Sequence, residues 1–144
     1  MTPRTAVLYA RVSSREQREE GFSIEAQVKL LRAAAVKEGI TIVQEFVEVE
    51  SAKAAGRKLF NEMVSYFKHN RTCKILLVEK TDRLYRNFRD AVTLEELEIS
   101  IHFVKEGETL SKDSKSQVKF MHDIRLAMAR NYSENLREEV KRDE

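Results

Sequence analysis

Ala6-Val7-Leu8-Tyr9-Ala10-Arg11-Val12-Ser13 is an apolar run that ends in a guanidinium and a hydroxyl two residues apart. Residues 5 to 10 read as a strand, and alternation along it sends Arg11 and Ser13 to the same side. The C-terminal edge of a strand is where an open α/β sheet places its site, so both groups can address one phosphate there. A serine after a strand is also a common turn or helix-cap residue, and residues 9 to 13 alone do not separate the two readings.

A second apolar run, Ile75-Leu76-Leu77-Val78, reads as a buried strand and is followed by Lys80-Thr81-Asp82-Arg83-Leu84-Tyr85-Arg86-Asn87. Two strand ends thus carry serine, aspartate and several arginines. Guanidinium is permanently charged and grips phosphate oxygens with a planar fork, so arginines around one hydroxyl suit a phosphoryl centre better than a carbonyl. Between these runs, Glu48-Val49-Glu50-Ser51-Ala52-Lys53-Ala54-Ala55-Gly56-Arg57 has no apolar periodicity and reads as a mobile loop that delivers Arg57.

Strands and helices alternate along the rest of the chain, which predicts an α/β domain with a central, mostly parallel sheet of four to five strands flanked by helices. Ser23 is placed to cap a helix to about Glu38, with Ile24, Val28, Leu31 and Ala35 as its buried stripe and Gly39 as its stop. Residues 40 to 47 form a second strand. Leu59, Met63, Val64 and Phe67 mark a second helix, and residues 74 to 79 a third strand. Asn87, with Asp90 three residues on, caps a helix through Glu98; residues 100 to 105 and 108 to 110 complete the strands. Ser114-Lys115-Ser116-Gln117 matches a capping box, and Val118, Met121, Ile124, Met128, Tyr132, Leu136 and Val140 recur at helical steps. They predict a helix of about 28 residues, roughly 40 Å long, whose distal half projects from a compact core. The organisation expected is a core over 1–113 and a long helix over 114–144 of the same domain.

The chain has 144 residues, one domain by length, and a net charge of only +2. Local charge is less even: residues 68 to 89 carry Lys68, Arg71, Lys74, Lys80, Arg83, Arg86 and Arg89 against Glu79 and Asp82. That region can face a nucleic-acid backbone or be an ordinary solvated surface. The single cysteine, Cys73, excludes an internal disulfide and a cysteine-rich zinc site, and the three histidines lack ligand spacing. No metal or other cofactor is assigned. No apolar run approaches a membrane span or a signal peptide, so a cytoplasmic protein with no membrane partner is expected.

YARVSSREQ from Tyr9, SIEAQ from Ser23, the ESAKAAGR loop from Glu50 and KTDRLYRN from Lys80 stand in one order and spacing. In these motifs the chain resembles the catalytic domain of serine recombinases, the resolvase/invertase family, from about Arg4 to Arg142. The terminal SENLREEVKR segment resembles the large serine recombinases and related transposon or phage integrases more than the small resolvases. The resemblance implies double-stranded DNA as substrate and a homodimer that pairs into a synaptic tetramer. It places Met121, Ile124, Met128 and Tyr132 of the long helix at the oligomer interface. It also implies a C-terminal DNA-binding region beyond these residues, without which the catalytic domain binds DNA weakly and with little sequence preference.

By the same resemblance Ser13 is the nucleophile, and Arg11, Arg57, Arg83 and Arg86 clamp the phosphate, with Gln17, Gln27, Ser51 and Lys80 in supporting or DNA-contacting places. Ser13 attacks a phosphodiester, releases a 3′ hydroxyl and keeps the 5′ phosphate. One phosphoester replaces another, so neither ATP nor a metal is required in principle. Asp82 carries two readings side by side: an ion pair that holds Arg11 or Arg86, and proton transfer to or from the sugar oxygens. Ser14 is the rival nucleophile, demoted by its opposite direction. Small resolvases carry acidic and basic groups on the long helix near the site, where this chain has Tyr132, Ser133 and Asn135. Two other functions compete. A non-enzymatic DNA-binding or assembly module would keep the fold without covalent chemistry, and an unrelated phosphatase would normally bring a Gly-rich loop, a catalytic cysteine or a carboxylate cluster.

Overall fold

The computed structural model describes residues 4–15, 24–50, 57–111 and 124. Its elements follow the order β1 (Thr5–Ser13), α1 (Ile24–Glu38), β2 (Thr41–Glu50), α2 (Lys58–His69), β3 (Ile75–Val78), a 3-10 turn (Thr81–Arg83), α3 (Phe88–Glu96), β4 (Ser100–Phe103) and β5 (Glu108–Leu110). The five strands lie in the order β2-β1-β3-β4-β5, parallel except for the antiparallel pair β4 and β5. The α/β sheet expected from the alternation of elements is the one observed.

Strand β1 lies inside the sheet, and its residues Ala6 to Ala10 are all 0% exposed. Covered on both faces, it has to read as a continuous apolar run rather than an alternating one. Ala6, Leu8 and Ala10 face Val28, Leu31 and Ala35 of α1. Val7 and Tyr9 face the other way, toward Phe60, Met63 and Phe67 of α2 and Ala91 and Leu94 of α3. The charged end of β1 is therefore held in a three-layer stack by its own apolar half. Ile124, 7% exposed, joins the second of these clusters, so its surface is used within the chain itself. Met121, Met128, Tyr132 and the rest of the expected long helix lie outside the described residues, as do Ser23 and the capping box at Ser114.

Local signals set the helix ends. Gly39 takes φ +69°, a left-handed conformation that suits glycine, and Ile40 N–H then donates to Ala35 O at 2.9 Å. At α3, the Asn87 side chain accepts from Asp90 N–H at 3.0 Å, the expected cap. That helix ends at Glu96, two residues earlier than periodicity suggests.

Both strands that matter for the site run further than expected. Residues Arg11 to Ser13 belong to β1 and Glu48 to Glu50 to β2, so the start of the anticipated loop is paired backbone. The register between the two strands shifts once, between Ala6 and Val7, where β2 passes over Val43. Such a bulge adds one residue to one strand. Beyond it Tyr9 pairs with Phe46, Arg11 with Glu48 and Ser13 with Glu50. Without the extra residue Ser13 would stand opposite Val49, and both glutamates would turn to the other face.

Candidate active site

Arg11 points from the end of β1 into a frame of acceptors. Its Nε donates to Arg83 O at 3.2 Å, its Nη2 to Asp82 O, and its Nη1 to Glu50 Oε1 at 2.8 Å. The backbone of the same residue is gripped from the opposite helix layer. Arg11 N–H donates to Gln27 Oε1 at 2.9 Å, and Gln27 Nε2 donates to Arg11 O at 3.2 Å. Gln27 is buried, which explains a polar residue on the inner stripe of α1: it closes the backbone groups of β1 where the strand ends. Burial lowers the pKa of Arg11, and neighbouring Arg83 lowers it further; an arginine so placed remains a cation.

The segment after β3 presents the remaining cations. Leu84 and Tyr85 are buried and anchor it from below, and their N–H groups both donate to Thr81 O at 3.1 Å. Glu106, from the connection between β4 and β5, accepts from Thr81 N–H and Thr81 Oγ1 at 2.5 and 2.7 Å. So tied, the turn aims Arg83 and Arg86 inward. Arg83 Nε lies 3.8 Å from Glu79, and Arg86 Nη2 donates to the same Glu50 Oε1 that Arg11 uses.

Asp82 departs from one of its two expected roles. Its side chain is 73% exposed and lies 3.9 Å from Lys80 Nζ, and it is the backbone carbonyl, not the carboxylate, that serves Arg11. The reading of Asp82 as the ion-pair partner of Arg11 or Arg86 is corrected accordingly. Glu50 fills that place.

Arg57 stands at the entrance to α2. Its two Nη atoms donate to Asp90 Oδ2 and Oδ1 at 2.9 and 2.6 Å, and its guanidinium carbon lies 4.5 Å from the centre of the Phe60 ring. The bond to Asp90 raises the pKa of Arg57. Asp90 Oδ2 also accepts from Arg86 N–H at 3.0 Å. One carboxylate therefore couples the backbone of Arg86 to the side chain of Arg57.

Below the arginines sits a buried acid. Glu48 is 2% exposed, accepts from the Tyr9 hydroxyl through Oε2 and from Leu59 N–H at 3.2 Å through Oε1. It locks β2 to β1 and to the first turn of α2. Burial, and then the hydrogen bond to Glu48, push the Tyr9 hydroxyl far above its ordinary pKa.

The fold thus gathers Arg11, Ser13, Gln27, Arg57, Lys80, Asp82, Arg83 and Arg86 at one end of the sheet, on β1, α1 and the segments flanking α2 and α3. Gln17 and Ser51 lie outside the described residues. Glu48, Glu50, Asp90 and Glu106 are the functional neighbours that sequence reasoning passed over. Asp90 had a visible role as a cap partner, which hid its second one. Glu48 and Glu50 belonged to a stretch without periodicity. Among the described residues no group of histidine, cysteine, aspartate and glutamate could hold a metal ion, and no helix is long and apolar enough to cross a membrane. Chemically, the end of β1 carries Ser13 on the strand face of Arg11, whose guanidinium, like those of Arg57 and Arg86, an acid holds in a fixed direction, an arrangement suited to a phosphate ester.

Residues 6–144 match the family described as "Resolvase, N terminal domain". Among solved structures, a resolvase family site-specific recombinase from Streptococcus pneumoniae aligns with a TM-score of 0.72 at 26% identity, over 97% of this chain and 95% of that one. The N-terminal catalytic domain of TP901-1 integrase is similar in fold, with a TM-score of 0.66 at 19% identity over 92% of this chain and 98% of that one. The C-terminal catalytic domain of ISC1926 TnpA, an IS607-like serine recombinase, aligns with a TM-score of 0.57 at 25% identity, over 79% of this chain and 74% of that one. No curated protein matches the chain.

Proposed function

The chain belongs to the resolvase N-terminal-domain family of site-specific recombinases, and from that premise we propose that it cuts and rejoins double-stranded DNA through Ser13. The observation that carries this reading is the placement of Ser13 on the arginine-facing side of β1, two residues from Arg11 and in register with Glu50, whose carboxylate holds Arg11 and Arg86.

Ser13 Oγ attacks the phosphorus of a DNA phosphodiester. The bond from phosphorus to the 3′ oxygen breaks, the 3′ oxygen gains a proton, and Ser13 loses its own. The 5′ phosphate stays on Ser13 as an ester. Attack by a 3′ hydroxyl from a recombining strand reverses the step and frees the serine. Alignment and charge stabilisation lower the barrier: Arg11, Arg83 and Arg86 clamp the phosphoryl oxygens, Arg57 adds its charge from the entrance to α2, and Arg11 also braces the turn that carries Arg83. Asp82, exposed beside Lys80, is the carboxylate available for proton transfer at the sugar oxygens. A homodimer on one duplex, paired into a tetramer across two, supplies one serine for each strand. Met121, Met128 and Tyr132 are the contacts proposed for that assembly.

The test is a denaturing quench after incubation with element-end duplex, followed by a search for protein joined to a 5′ DNA end. An adduct in the wild type that is absent from Ser13→Ala supports the reading. DNA binding without an adduct favours an assembly module that keeps the fold but not the chemistry. An adduct that survives in Ser13→Ala and is lost in Ser14→Ala transfers the role of nucleophile to Ser14.

A further inference from the structure

Glu50 accepts from the side chains of two arginines of the cluster. Its Oε1 accepts from Arg11 Nη1 at 2.8 Å and from Arg86 Nη2, while its Cα stands opposite that of Ser13 across the two strands. We propose that the Glu50 carboxylate occupies the place of a phosphate oxygen between Arg11 and Arg86, and that a DNA phosphate engages these arginines by displacing it. The proposal rests on the reading of the site as a phosphodiester centre and adds a positioning residue to it.

Three features support a displaceable acid. A carboxylate and a phosphate offer the same pair of acceptor oxygens to a guanidinium, so one can substitute for the other without moving the arginines. The arginines have other anchors that outlast the exchange. Arg11 keeps its bonds to Arg83 O and Asp82 O, and Arg86 keeps its N–H on Asp90. Finally, Glu48 and Glu50 lie on one face of β2 with different burial. Glu48 is 2% exposed and fixed to Tyr9 and Leu59, whereas the Glu50 side chain is 26% exposed at the last residue of the strand. The inner glutamate holds the strand and the outer one can leave. In the meantime Glu50 keeps two like charges together that would otherwise repel each other.

The charge on Glu50 then opposes any phosphate at this position. Replacing it with the neutral isostere in Glu50→Gln should tighten binding of inorganic phosphate and of a short duplex of arbitrary sequence by roughly tenfold, because like-charge opposition is removed. The slope of log affinity against log salt should steepen by about one phosphate's worth of counterion release. Glu50→Asp keeps the charge and should stay near the wild-type affinity. Equal or weaker binding by a folded Glu50→Gln variant overturns the proposal. A second measurement uses the unaltered chain: the arginine side-chain N–H resonances of Arg11 and Arg86 should shift together on titration with inorganic phosphate, and unmoved resonances overturn it as well. Neither experiment involves strand cleavage. Tightening without any adduct in the wild type would leave the anion exchange standing and remove the recombination reading; an adduct without tightening would do the reverse.

Discussion

Asp90 accepts both Nη atoms of Arg57, at 2.6 and 2.9 Å, from a position that is only 1% exposed, and the same carboxylate receives the backbone N–H of Arg86. Arg57 thus does structural as well as electrostatic duty. In Arg57→Ala the aspartate remains buried with its principal partner gone. The expected loss is about 2 to 3 kcal/mol, toward the low end for breaking a buried pair because Arg57 itself reaches solvent. Adding Asp90→Asn should recover part of it, since the amide oxygen still accepts from Arg86 N–H. Urea midpoints of the single and double variants check this, and an Arg57→Ala protein as stable as the wild type would refute it.

The two buried tyrosines shape the alkaline limb of stability. Burial raises the pKa of Tyr9, with Glu48 adding to it, and burial raises that of Tyr85, with Glu95 adding to it; both start from an ordinary value of 10.0. A raised folded-state pKa means that the native protein keeps a proton the unfolded chain loses. The stabilisation is complete below pH 10 and declines as pH rises above it toward the folded-state values, by up to about 1.4 kcal/mol per pH unit for each tyrosine. Tyr85→Phe should remove one of the two contributions and halve the slope. Urea midpoints between pH 8 and pH 11 give the comparison, and an unchanged slope would place the effect elsewhere.

Arg11 braces the turn after β3 through two carbonyls and reaches the end of β2 through the Glu50 carboxylate. A lysine ammonium is a single point of charge and cannot span all three, so Arg11→Lys is not a conservative exchange here. The expected cost is about 1 to 2 kcal/mol of stability. Covalent adduct formation should fall on the order of a hundredfold, as for the loss of one well-placed donor. Hydrogen exchange adds an independent readout. The N–H groups of Leu84 and Tyr85, bonded to Thr81 O, should exchange faster in the variant while those of β1 do not. Uniform loss of protection would instead mean global destabilisation.

Much of this architecture is legible along the chain because it arises from local patterns. The unbroken apolar run before Arg11 marks an inner strand, and the spacing of Val28, Leu31 and Ala35 marks the face of α1 that meets it. Gly39 and Asn87 terminate and start helices through their own conformational preferences. Arg83 and Arg86 stand out because they follow an apolar strand run, and Arg57 because it closes a stretch without apolar periodicity.

What directs those arginines depends on residues far apart in sequence, and only the tertiary structure decides it. Arg11 meets Glu50, and Arg57 meets Asp90, across separations of 39 and 33 residues. Those meetings require the register of β1 on β2, and a single bulge at Val43 determines whether Glu48 and Glu50 face the arginines or the opposite layer. Side chains alternate with a period of two, so one extra residue exchanges the faces of everything beyond it. The sequence alone determines that an apolar strand ends in an arginine and a serine. Phe46 and Tyr9 share the core cluster on the α2 and α3 side of the sheet, and the shifted register that pairs them is the one that brings acids to the arginine and serine.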